Sequence, residues 1–180
     1  MDLGRLPGNN FIDIDFEISM KKGRVRLKKE DFDLHETGIE DGTSLYEGAF
    51  DKIKLICSLT SEPAGTSCVL ELSSSGPLDC QSIALYLTYQ EKGVDLSGRS
   101  VPCIGKEVAH AGLHLIGKKG STQPDTRYCG LYQSSTDPCV FLGTKIPQKN
   151  IHLYQAELLQ KDTVRFTCTT SFTVGQQKKS

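Results

Sequence analysis

The chain has 180 residues, 37% of them hydrophobic and 24% charged, which suits one globular domain around a single core and excludes a disordered segment. Its 21 basic and 22 acidic side chains nearly cancel, so no net field draws it to nucleic acid or to an anionic membrane. Folding at this length buries roughly 70% of the surface exposed by the unfolded chain, and the seven cysteines are therefore not required as bridges.

Residues 1–10 lack the apolar run of about 7 to 15 residues that a secretory leader needs, and they read as a tail. No stretch approaches the roughly 18 apolar residues of a membrane span. The expectation is an intracellular protein, cytoplasmic or nuclear. Phe11-Ile-Asp-Ile-Asp-Phe-Glu-Ile-Ser-Met20 alternates apolar with polar residues and predicts a half-buried strand. Lys22-Gly23 then offers a turn, and Val25 and Leu27 alternate with Arg24, Arg26 and Lys28, so the pair predicts a hairpin. Period-two patterns continue at Ile53, Leu55, Cys57 and Leu59, and again at Cys68, Leu70 and Leu72. Residues 83–89, apolar at Ile83, Leu85, Leu87 and Tyr89, predict a strand near the centre of a sheet, closed by turn chemistry at Glu91-Lys-Gly93. Weaker strands are expected around 108–116, 127–132 and 139–142.

Asn150 followed by Ile151, Leu153 or Tyr154 and Leu158 predicts one short helix over 150–159. Val164, Phe166, Cys168, Thr170, Phe172 and Val174 then alternate along a strand rich in β-branched residues. Many strands with turns between them and almost no helix point to an antiparallel all-β sandwich or barrel. No repeat of fixed period is present.

Candidates for chemistry are sparse. His110 and His114 are four apart, but on a strand they stand about 13 Å apart by rise, too far for one zinc ion. The cysteines carry no C-x-x-C spacing and no local signature of a nucleophile. Gly117-Lys-Lys-Gly120 lacks the spacing of a phosphate-binding loop. The basic run 21–29 is bracketed by Asp13, Asp15 and Glu17 on the neighbouring strand and by Glu30, Asp31 and Asp33. That arrangement suits cross-strand pairing on a wet face better than an acidic-peptide site. No Trp occurs and no aromatic interrupts the basic run, as single-stranded nucleic acid would require.

The fragment Leu159-Gln-Lys-Asp-Thr-Val-Arg-Phe-Thr-Cys168, an L-x-x-D-T-V-x-x-x-C pattern preceded by residues 153–158, resembles the end of a MATH domain, the TRAF-like sandwich of speckle-type POZ adaptors. Residues 50–57 and 83–93 resemble its middle strands. The resemblance covers 11–175 and leaves 176–180 as a tail or linker stub. It departs from the family in lacking the usual tryptophan of the opening strand, and in having Cys139-Val-Phe-Leu-Gly143 where the family carries an aromatic pair around a glycine. The resemblance implies a non-catalytic module that recognises an extended peptide or partner protein, with Tyr132, Phe141, Tyr128 and Lys145 as peptide contacts. It implies no cofactor, and a BTB/POZ domain and cullin-type ubiquitin ligase as partners in a longer chain. The alternative is an extracellular adhesion or effector sandwich with up to three disulfides, which a count of fewer than five free thiols would favour.

Overall fold

A computed structural model describes residues 11–21, 26–62, 65–103, 112–116, 122–124, 128–132, 138–143 and 151–172. Chain order gives β1 (Phe11–Met20), β2 (Arg26–Lys28), a 3-10 turn (Lys29–Phe32), β3 (His35–Glu40), β4 (Thr43–Phe50), β5 (Ile53–Glu62), β6 (Gly65–Ser74) and β7 (Cys80–Gln90). A second 3-10 turn (Leu96–Gly98) leads to β8 (Ser100–Cys103), β9 (Gly112–Leu115), β10 (Thr122–Pro124), β11 (Tyr128–Tyr132), β12 (Pro138–Gly143), β13 (Ile151–Gln160) and β14 (Thr163–Ser171). The all-β antiparallel expectation holds: a six-stranded sheet β10-β13-β14-β7-β1-β2 accompanies two four-stranded sheets, β12-β11-β8-β9 and β3-β4-β5-β6.

Period-two patterning places the core. Ile14, Phe16 and Ile18 on β1 are 2% exposed or less, while Asp13, Asp15 and Glu17 take the other face of the pleat. One apolar cluster joins Ile14, Leu87 and Phe166 of the large sheet to Cys57 and Leu59 of β5, Val101 of β8 and Leu131 of β11, so the large sheet forms one layer and the two smaller sheets share the other. A second cluster packs Phe16, Ile18 and Leu27 against Phe32 and Leu55. Strand β7, expected at the centre of a sheet, lies between β14 and β1.

The helix expected over 150–159 is a strand. β13 pairs with β14 from Ile151–Ser171 to Gln160–Thr163 with a single register shift. Its inward positions are Tyr154, 1% exposed, and Ala156, 5% exposed, the latter directly across from Phe166. The apolar spacing of this segment fits either period, and cross-strand packing of a small residue against a large ring decides for the sheet. β3, β4, β8 and β10 were not expected. The inner face of β4 presents Tyr46 and Gly48, which break the apolar alternation. Gly48 is required there, because a Cβ would press into the Phe32 carbonyl oxygen and reach Leu34 Cδ2 at 2.9 Å.

The β3–β4 turn is Asp41-Gly42, at φ +48° and +76°, the positive-φ pair of a two-residue hairpin. The β1–β2 hairpin forms as expected, while its turn at 22–25 lies outside the described residues. The pairing of charges on that face also forms: Arg26 Nη1 stands 3.6 Å from Glu17 Oε1, and Lys29 Nζ stands 3.6 Å from Asp13 Oδ1. Among the described residues no helix is long and apolar enough to cross a membrane.

Candidate functional site

Three of the four expected peptide contacts fall on two adjacent strands. β11 and β12 pair antiparallel, with Tyr128 across from Gly143, Gly130 across from Phe141, and Tyr132 across from Pro138. Tyr128, Gly130 and Tyr132 therefore hold one parity of the pleat, and Phe141 occupies the register position opposite the glycine between the two tyrosines. The other parity is anchored in the core, since Leu131 is fully buried across from half-buried Val140. Burying Leu131 on one face fixes which face of β11 carries Tyr132.

Tyr132 itself is half-buried. Its backbone is flanked on both sides, by β12 and, through its pairing with Ser100, by β8. An extended peptide cannot add to β11, so Tyr132 is able to serve only through its side chain. β12 is different: it is the terminal strand of its sheet, and one row of its backbone N–H and C=O groups faces away from β11. Between Leu131–Val140 and Tyr132–Pro138 the register shifts, leaving Cys139 as the extra residue of a bulge, a device that bends a strand and re-aims its side chains. Pro138, which has no N–H to donate, is accommodated at the start of such an edge strand. Lys145 lies outside the described residues.

Among the described residues no three His, Cys, Asp or Glu side chains gather as a metal site. His114 falls on β9 across from Val101, and His110 and the 117–120 loop lie outside the described residues. Cys57, Cys68, Cys80 and Cys168 are free thiols. Burial pushes the Cys80 thiol up to about 11 and raises Cys168 as well, so both are protonated and poor nucleophiles at neutral pH.

The L-x-x-D-T-V fragment that carries the family resemblance is the β13–β14 turn. Asp162 Oδ1 accepts from Thr163 Oγ1 at 2.8 Å, the Lys161 carbonyl accepts from Leu96 N at 2.6 Å, and the Asp162 carbonyl accepts from Glu91 N at 3.0 Å. These residues thus have a structural task, docking the turn onto the segment between β7 and β8. Comparison with models of protein families, with curated proteins and with solved structures found no match.

The site also has features with no signal in the sequence pattern. Bringing Tyr132 beside Ser100 depends on β8, whose four residues Ser-Val-Pro-Cys are too short to show a period. The guanidinium of Arg99, just before β8, has its Nε buried with no hydrogen-bond partner, and nothing local distinguishes it from an ordinary surface arginine.

Proposed function

We propose that this chain is a non-catalytic protein-binding module that takes up an extended peptide along β12, with Tyr132, Phe141, Tyr128 and Lys145 contributing side-chain contacts. The observation that carries the reading is the terminal position of β12 beside a strand bearing two tyrosines of one parity. Backbone pairing at such an edge supplies affinity, and alternate side chains supply selectivity. Ordering a flexible peptide costs free energy, so micromolar binding is expected.

The MATH resemblance of Leu159–Cys168 extends the proposal: joined to a BTB/POZ domain in a longer chain, the module would select substrates for a cullin-type ubiquitin ligase. That extension rests on the resemblance alone, and its fragment also has the turn-docking task described above.

The test is a peptide library screened against the native chain and a Tyr132→Ala, Phe141→Ala double variant. Peptides selected by the native chain should bind the variant at least about tenfold more weakly, a loss of roughly 1.4 kcal/mol, while both proteins keep the same β-rich circular dichroism. Equal binding by a folded variant would refute the site.

A further inference from the structure

Cys57 and Cys68 fall on the apolar alternations of two separate segments, and the β5–β6 register brings them into a closer relationship. Cys57 pairs with Leu70, and Leu59 pairs with Cys68. The two cysteines are therefore diagonal neighbours of the same parity, and both lie on the side of the sheet that packs into the core. β6 is the terminal strand of its sheet, paired only with β5 among the described residues. It can make the small local shift that a diagonal bridge needs without breaking a second ladder. Lys29, from the 3-10 turn before β3, carries a positive charge that favours the Cys57 thiolate. Its Nζ donates to the Ile14 carbonyl at 2.9 Å and stands 3.6 Å from Asp13 Oδ1, with its side chain 12% exposed.

We propose that Cys57 and Cys68 are a peroxide-oxidised pair that closes into a reversible disulfide across β5 and β6. The Cys57 thiolate attacks hydrogen peroxide, the O–O bond breaks, and Cys57 sulfenic acid and hydroxide form. The Cys68 sulfur then attacks Cys57 Sγ, the S–O bond breaks, and the departing hydroxide takes the Cys68 proton as water. Two thiols are oxidised by two electrons and one peroxide is reduced, giving one disulfide and two waters.

The division of roles follows from the surroundings of each sulfur. The hydrogen bond from Cys68 lowers Cys57 below the ordinary thiol value, outweighing the opposing effect of burial, and Lys29 adds to the lowering. The same hydrogen bond, with burial, holds Cys68 well above it. Cys57 is the thiolate former and Cys68 the proton-bearing partner. Peroxide is close to water in size, so a transient opening of the terminal strand β6 suffices to admit it to Cys57, which is 2% exposed. Cys80 and Cys168, both raised by burial, have no such partner among the described residues and are expected to stay reduced under the same treatment.

The experiment uses the intact folded chain, treated with a small molar excess of hydrogen peroxide near neutral pH, quenched with an alkylating agent and digested without reduction by a glutamate-specific protease. The peptide Gly48–Glu71 carries Cys57 and Cys68 and no other cysteine. It is expected to lose both alkyl labels and two hydrogens, and to regain both labels after dithiothreitol. The variant Cys68→Ser is expected to leave Cys57 as sulfenic or sulfinic acid instead. Should that variant not fold, the native peptide map still decides. Two alkyl labels on Gly48–Glu71 after peroxide, or a bridge that joins either cysteine to another, would overturn the proposal.

Discussion

The sheet β3-β4-β5-β6 and the sheet β12-β11-β8-β9 cover the same core from the same layer and are stitched very differently. β5 and β6 pair without a shift from Ile53–Ser74 to Glu62–Gly65, and β4 and β5 pair from Thr43–Thr60 to Phe50–Ile53. In the other sheet, among the described residues, β8 and β11 are joined through the single pair Ser100–Tyr132, and β11 and β12 through five pairs that include a bulge. A long regular ladder opens only rarely and transiently, most easily at a terminal strand such as β6, whereas a short irregular one opens at low cost and can accept another strand. This fold places its proposed binding edge on the loosely joined sheet, and leaves the rigid one to hold the core.

The largest expected effect breaks the rigid side. Phe32 is fully buried between Phe16 and Phe50, with ring centroids 5.8 and 6.3 Å away. Phe32→Ala should cost about 3–5 kcal/mol in denaturant unfolding. Tyr132→Ala, at a half-buried position of the loose sheet, should cost under about 2 kcal/mol. A larger loss at Tyr132 than at Phe32 would reverse the comparison.

Alkaline pH probes the thiols and phenols that the fold keeps protonated. Cys80 rises from 9.0 to about 11 by burial, and Cys68, Cys168, Tyr46 and Tyr86 are also raised. A group whose folded pKa lies above its unfolded value gives stability that is complete below the unfolded pKa and is lost as pH climbs through the folded one. For Cys80 that window runs from about 9 to about 11. The melting temperature should therefore hold to pH 8 and fall between pH 9 and 11; a rise over that interval would contradict the burial of these groups. Cys57, lowered instead, opposes the trend without reversing it.

Smaller effects sharpen the picture at the edges. Arg99 holds a buried Nε without a hydrogen-bond partner, so Arg99→Met should leave stability unchanged or raise it by up to about 1 kcal/mol, because an unpaired polar atom is removed from the interior. The smallest change is expected at Arg26, whose side chain is 72% exposed in its pair with Glu17. Arg26→Ala should shift unfolding by about 0.5 kcal/mol or less. A loss above 1.5 kcal/mol at either position, measured by the same titration, would show a role that these contacts do not provide.

Strands with a clean alternation were legible from residues alone: Ile14, Phe16 and Ile18, then Leu55, Cys57 and Leu59, then Val164 and Phe166, all turned inward as read. β4 was hidden because its inner positions are Tyr46 and Gly48, chosen by the approach of the Phe32 backbone, a contact 16 positions away in the chain. The Asp41-Gly42 turn was a readable hairpin signal that would have exposed β3 and β4. β13 was misread because its apolar residues satisfy a helical spacing as well as a pleat, and only the facing strand β14 settles the choice. At the site, the register that puts Phe141 across from Gly130 depends on a bulge at Cys139, which no local pattern announces. The Cys57–Cys68 diagonal likewise depends on where the β5–β6 ladder starts, not on either cysteine's neighbours.

Amide hydrogen exchange of the native chain with and without a library-selected peptide tests the binding edge most directly. Addition of a strand to β12 predicts slowed exchange at 138–143, with no change in the ladder 53–74. Protection confined to β6, or absent from 138–143 at saturating peptide, would contradict it.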